Sequence, residues 1–195
     1  MDHVRPASAD DELTPASPGA LPRRLAWALE VIAPRPTDRL LEIGCGQGVA
    51  VAAICQRLTR GTILAIDRSA TAIVAARRRN RDHVQAGTAR FETMALADMA
   101  VGATRFDKIF AINVNLFWRD ASRELEIVRR LLVPGGRLHL VYESPTAAQL
   151  DRIAREAVTT LEAGGFPAAT VRRGTGNDRH LIHIASAGKV ARIRF

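Results

Sequence analysis

The sequence is nearly without lysine: Lys108 and Lys189 are the only two among 28 basic residues, and arginine supplies the others. Together with abundant alanine, that is the mark of a GC-rich genome, whose codon bias spreads arginine through a chain regardless of function. The net charge of +8 therefore does not by itself designate a nucleic-acid partner. Its carriers are also scattered, in Arg77–Arg79 with Arg81, in Arg129–Arg130, in Arg172–Arg173, and in Arg192 and Arg194. Solvated helix faces and strand edges are the plainer reading, with a nucleic-acid footprint as the alternative. Cysteine is equally scarce. Cys45 and Cys55 form neither a disulfide framework nor a metal-type spacing, so no metal and a reduced, cytoplasmic setting are expected. No apolar run approaches the roughly 20 residues of a membrane helix. The first residues, with Asp2, Asp10, Asp11 and Glu12 among proline and serine, lack the basic-then-apolar layout of a signal peptide.

What is present suits one globular domain. The chain has 195 residues, 47% hydrophobic and 25% charged, enough to bury a two-sided core. Residues 1–20, rich in Ala, Pro, Ser and acid, read as a disordered lead-in to a single domain over residues 21–195. Leu21, Leu25, Leu29 and Ile32 recur at helical spacing, and Pro34-Arg35-Pro36 ends that helix. From Arg39, short apolar strands alternate with amphipathic helices, the pattern of parallel βαβ units.

The expected strands are Arg39–Ile43, Thr62–Asp67, Ala89–Thr93, Phe106–Ile112 and Arg137–Tyr142, the last entered through Pro134-Gly135-Gly136. A helix from Gly48 to Leu58 joins the first two. Ser69 caps the next, which is expected to turn Ile73, Val74 and Val84 inward and to end at Gly87. Asp120 caps a helix through Leu132, with Glu124 and Glu126 early and Arg129–Arg130 late, matching the macrodipole. Ser144-Pro145 supplies a cap and a first-position proline for a helix burying Leu150, Ile153, Val158 and Leu161 and ending at Gly164-Gly165. Ala168–Arg173 and Arg179–Ala185 complete an antiparallel hairpin, and Lys189–Phe195 extends it or trails as a tail. The fold class is α/β, a doubly wound, mostly parallel seven-stranded sheet with a C-terminal antiparallel hairpin.

In such sheets ligands bind beyond the carboxyl ends of the strands, where the strand order reverses. The first strand runs into Glu42-Ile43-Gly44-Cys45-Gly46-Gln47-Gly48, whose glycines permit tight turns and close approach of a ligand. The second strand ends in Asp67, a carboxylate placed to accept both hydroxyls of a ribose. Loop and acid in register point to a nucleoside-type cofactor. The G-x-G-x-G spacing, preceded by an acid, differs from the G-x-G-x-x-G of dinucleotide folds.

Over residues 21–187 the chain resembles the class I S-adenosylmethionine methyltransferases. The resemblance rests on Leu40–Gly48, Ala65-Ile66-Asp67, Phe106-Asp107-Lys108-Ile109, Asn113–Trp118 and Leu132–Leu138, in the family's order. The Asn-Val-Asn-Leu-Phe-Trp stretch is most similar to the small-molecule branch that includes the ubiquinone/menaquinone-type enzymes. The resemblance implies S-adenosyl-L-methionine as cofactor, with Gly44, Cys45 and Gly46 lining its methionine portion and Gly48 also among the cofactor-binding residues. It implies Glu42 orienting that loop from beneath, Asp67 on the ribose and Arg68 beside the adenine. Asn113 is implied to face the transferring methyl through its backbone carbonyl. The chain departs from the family after the third strand, where many relatives carry an acid near the adenine amino group. Here Glu92-Thr93-Met94-Ala95-Leu96 puts no acid in register and Asp98 comes too late, so Met94, Ala95 and Leu96 are left as apolar walls.

A catalytic residue is not designated. Tyr142 and Glu143, at the end of the fifth strand, are candidates for a base, against a plain strand-end role. Phe117 and Trp118 either face the acceptor or pack the next helix. His139 reads as a core histidine, and His180 and His183 lie away from the expected cofactor. Cys45 is better explained as a small loop residue than as a nucleophile. The leading expectation is methyl transfer to a small molecule. Action on RNA or protein, a nicotinamide-dependent oxidoreductase and a non-catalytic cofactor-binding protein are the competitors.

Overall fold

The computed structural model describes residues 21–119 and 121–187. The lead-in, the Asp120 cap and the Lys189–Phe195 extension lie outside the described residues. The chain runs α1 (Arg23–Ile32), β1 (Arg39–Ile43), α2 (Val49–Cys55), β2 (Thr62–Asp67), α3 (Ala70–Arg79), α4 (Arg81–Gln85) and β3 (Ala89–Thr93). It continues through β4 (Phe106–Ile112), α5 (Ser122–Leu131), β5 (Leu132–Glu143), α6 (Ala147–Ala163), β6 (Thr170–Arg173) and β7 (Leu181–Ala187). The strands form one sheet in the order β3-β2-β1-β4-β5-β7-β6. β1 to β5 are parallel, while β7 runs antiparallel to both β5 and β6. The order reverses between β1 and β4, so their carboxyl ends part there and open a crevice.

Both faces of the sheet are covered, which is why its strands read as nearly continuous apolar runs. Leu41, Ile109, Leu138, Leu140 and Ile184 face α5 and α6. Leu40, Ile63, Ala65 and Phe110 face α1, α2 and α3. Successive residues of a strand point to opposite faces, and the two clusters divide along that alternation.

Four local expectations are corrected. The helix after β2 is not one piece: it breaks at Asn80 into α3 and α4. Ile73 is buried as expected, but Val74 is 66% exposed and Val84 38% exposed. The Asn80 amide causes the break, since its nitrogen turns inward to donate to the carbonyls of Gly48 (3.0 Å) and Ala76 (2.9 Å). The helix after β5 starts two residues late, with Thr146 as its cap, accepting from the Gln149 N–H. Ser144 instead donates its hydroxyl to the Gln149 side chain at 2.8 Å. Pro134-Gly135-Gly136 does not precede β5 but sits inside it as an irregularity, between the pairs Phe106–Leu132 and Lys108–Arg137. The hairpin strands are displaced, to Thr170–Arg173 and Leu181–Ala187, because Gly176–Asp178 adds a short 3-10 turn between them.

Candidate functional site

A cleft of about 580 Å³ lies at the carboxyl ends of β1, β2 and β4. From β1 and β4 it is lined by Ile43, Gly44, Ile112 and Asn113, and from β2 by Ile66, Asp67 and Arg68. The segment after β3 adds Met94 to Ala97, and the segment after β4 adds Val114 to Leu116, with Arg119 and Glu124 beyond. Parallel strands lie about 4.8 Å apart, so the ends of β4, β1, β2 and β3 make a floor on the order of 15 Å wide.

The glycine loop is held to β2. The N–H groups of Gly44 and Cys45 both donate to the Ile66 carbonyl, at 2.8 and 3.1 Å. The Gly46 N–H donates to one oxygen of Asp67 at 2.9 Å, and the Ser69 N–H donates to the other at 2.9 Å. Asp67 thus ties the loop of one strand to the exit of the next, and each carboxylate oxygen retains lone-pair capacity toward the cleft. Gly46 has a φ of 52°, and a Cβ built there would meet nothing within 4 Å. The loop therefore presents bare backbone to open space. Gly48 is a glycine for another reason: at φ 70° its Cβ would lie 2.7 Å from the Asn80 amide nitrogen and 3.0 Å from Ala76 Cβ.

Six of the ten residues assigned to the cofactor line the cleft: Gly44, Asp67, Arg68, Met94, Ala95 and Asn113. Glu42, Cys45, Gly46 and Gly48 lie outside its lining. Glu42 is buried beneath the loop, and its Oε2 has no hydrogen-bond partner. Burial first, and the nearby Asp67 charge second, push its pKa up to about 8, so near neutrality it is mostly a neutral acid. Cys45 is buried, and desolvation with the Glu42 and Asp67 charges pushes its thiol up to about 12. A thiol held protonated is a poor nucleophile, as expected of a loop residue.

Asn113 adopts the left-handed region at φ 55°, which asparagine tolerates better than most residues. Its N–H donates to the Val141 carbonyl (2.8 Å), and its side-chain oxygen accepts from the Glu143 N–H (2.7 Å). The side-chain oxygen thereby continues the β4–β5 ladder, and Asn113 borders the cleft.

The candidate bases are engaged elsewhere. Glu143 accepts from Arg24 of α1 at 2.7 Å. Tyr142 points into the core with α5 and α6, and burial raises the pKa of its unpartnered hydroxyl. Phe117 is fully buried, and Trp118 packs against the same core beneath the guanidinium groups of Arg119 and Arg152. His139 and His183 stack in the interior with their rings 5.2 Å apart, His139 Nδ1 lying 3.0 Å from His183 Nε2. Sequence reasoning missed Arg119 and Glu124. Both follow β4 in a stretch read as packing and capping, and only the return of α5 across the end of β3 brings Glu124 to the cleft.

The methyltransferase-domain family model matches residues 41–138, half of the chain. An uncharacterized protein of Synechococcus is 32% identical over 64% of this chain, which spans 30% of that protein's length. An uncharacterized methyltransferase of Bacillus subtilis, YdaC, is 24% identical over 72% of this chain and 77% of its own. Among solved structures, magnesium protoporphyrin IX methyltransferase from Synechocystis with bound SAH superposes with a TM-score of 0.62 at 17% identity, over 85% of this chain and 80% of that one. Geranyl diphosphate methyltransferase in complex with SAM gives 0.64 at 17% identity, over 85% and 84%. The matched span carries the glycine loop, the acid-tipped β2 and the β4–β5 edge of the crevice, and on it the chain belongs to the methyltransferase-domain family, the S-adenosylmethionine-dependent enzymes that its sequence resembles.

Proposed function

We propose that this domain transfers a methyl group from S-adenosylmethionine to a small-molecule acceptor in the cytoplasm, chiefly by holding the two reactants in line. The observation that carries the reading is Asp67. It is the acid at the tip of β2, bonded to the glycine loop and lining a cleft whose volume falls in the range of small-ligand sites. The residues fit the cofactor in chemistry as well as in size: an anionic acceptor for ribose hydroxyls, a loop of exposed backbone, and apolar walls from Met94 to Leu96.

Bound there, S-adenosylmethionine would supply a methyl group already activated by its sulfonium sulfur. Asp67 binds the ribose, and Gly44 and Asn113 border the methionine end with backbone groups rather than charges. Arg68 and the Met94–Leu96 wall enclose the base. A pre-activated methyl asks mainly for proximity, orientation and exclusion of water. The engagement of both strand-end candidates agrees with that demand, since Glu143 is paired with Arg24 and the Tyr142 hydroxyl is buried.

A small acceptor is supported by the names of the two structural neighbours, a magnesium protoporphyrin IX methyltransferase and a geranyl diphosphate methyltransferase. The Asn113–Trp118 stretch supports, within that class, the quinone-type branch. Incubation with labelled-methyl S-adenosylmethionine and fractionated cell extract tests the proposal. Label should enter the low-molecular-mass organic fraction. Label confined to RNA or protein would refute the small-molecule reading.

A further inference from the structure

We propose that Glu124, at the start of α5, is the carboxylate that recognises the amino group of the cofactor's base, a role for which the segment after β3 supplies no acid. The inference rests on the cofactor reading above. The order β4-β1-β2-β3 gives the cleft a direction. With Gly44 and Asn113 at the methionine end and Asp67 on the ribose, the base falls beyond β2, over the segment that follows β3. That segment contributes Met94, Ala95, Leu96 and Ala97 to the cleft, none of which accepts a hydrogen bond through its side chain. Asp98, the acid nearest to them in sequence, is exposed and does not line the cleft. Glu92 pairs with Arg90 at 2.5 Å.

Glu124 reaches the same place from α5. Its neighbour Arg123 donates to the Ala97 carbonyl at 3.2 Å, which fixes the first turn of α5 against the 3-10 turn Leu96–Asp98. Leu125, Val128 and Leu131 are buried and hold the rotation of the helix, and Glu124, four and seven residues before Val128 and Leu131, stands at the N-terminal end of that inward face. Asp67 and Glu124 are the two carboxylates of the cleft lining. Asp67 already accepts two backbone N–H groups, whereas Glu124 is half-buried and takes part in no ion pair among the described residues. An exocyclic amino group is a donor that a carboxylate meets with both charge and geometry. A carboxylate also repels the carbonyl of a hypoxanthine, so this placement selects adenine over its deaminated counterpart.

The test is calorimetric titration of the full chain with S-adenosylhomocysteine and with S-inosylhomocysteine, which carries an oxo group in place of the amino group. The native protein should prefer the adenine form by tenfold or more. Glu124→Ala should bring that preference to within about threefold, and Glu124→Gln, which keeps one acceptor oxygen, should fall between. A residue that merely supports the first turn of α5 would weaken both ligands equally, so an unchanged preference in a Glu124→Ala protein of native melting temperature overturns the inference. Silence of the native protein toward both ligands would overturn the cofactor reading and this inference together. Binding of both by the native protein with equal affinity would overturn this inference alone.

Discussion

Tyr142 and Glu143 are adjacent in sequence and opposite in fate, because successive strand residues face opposite sides of the sheet. The tyrosine enters the core of α5 and α6, and the glutamate turns to Arg24 of α1. Neither lines the cleft. With a substrate in hand, Tyr142→Phe and Glu143→Gln should therefore each lower turnover by less than about 100-fold, below the upper range of general-base catalysis. Abolished turnover in Glu143→Gln with cofactor affinity intact would establish a dedicated base. The residues legible in the sequence were those whose role follows from position along a strand: Asp67 at the tip of β2, Gly44 in the turn, Asn113 at the end of β4. Arg119 and Glu124 were not legible, because nothing in their local pattern says that α5 returns to the end of β3. Trp118 was legible only as an alternative. An aromatic after a strand end serves packing and binding equally well, and here its ring lies against the core under two arginines.

At the scale of elements, the two glycines of the β1–α2 loop separate folding from binding. Gly48→Ala would combine a positive φ with a Cβ 2.7 Å from the buried Asn80 amide and 3.2 Å from the Ala76 backbone. Strain of about 1–2 kcal/mol and overpacking of about 1–3 kcal/mol should lower the melting temperature by roughly 5 °C or more. Gly46→Ala bears the strain alone, so it should melt closer to the native protein while losing cofactor affinity. Equal melting losses in the two would contradict the distinction. The β5–β7 contact yields a second prediction. His139 and His183 are diagonal neighbours across it, since His183 pairs with Val141 and His139 with Ala185. His139 Nε2 is buried without a partner, so the favoured tautomer has His139 donating from Nδ1 to His183 Nε2. Burial leads the causes that lower their pKa values, to about 3 for His139 and about 4 for His183. Below pH 6.5 the unfolded chain takes up protons that the folded pair refuses. The pair's share of stability is thus full above pH 6.5 and falls as pH drops toward 4, by up to about 1.4 kcal/mol per pH unit for each histidine. A double variant with leucine at both positions should show a flatter dependence of melting temperature on pH between 6.5 and 4.5. Parallel curves would contradict the assignment. Strand bounds were legible because apolar runs between turns are their own signal, and β1 to β4 match residue for residue. The break at Asn80 and the late start of α6 were not. Each is set by a side chain choosing a distant or competing partner, the Gly48 carbonyl in one case and Gln149 in the other.

Across the whole molecule, many of the arginines are engaged locally. Arg23, Arg24, Arg39, Arg90 and Arg172 pair with carboxylates, while Arg57, Arg77 and Arg79 donate to backbone carbonyls. Two of these contacts, Arg23 with Asp178 and Arg172 with Glu30, join α1 to the C-terminal hairpin, so these arginines serve the fold before any partner. Binding to RNA or DNA should accordingly be weak and nearly sequence-blind, and should vanish at physiological salt. Retained nanomolar binding to one structured RNA at that salt would contradict this and promote a macromolecular acceptor. Cofactor binding and methyl transfer both depend on the cleft at the switch point and on its carboxylate Asp67. Isothermal titration of the native chain and of Asp67→Ala with S-adenosylmethionine, and of the native chain with NADH, tests that dependence most directly. The account predicts binding of S-adenosylmethionine, no heat with NADH, and a loss of about 1.5–3 kcal/mol in the variant, the scale of a hydrogen bond to a charged group. Tight NADH binding with silence toward S-adenosylmethionine, or an Asp67→Ala protein of unchanged affinity, would contradict it.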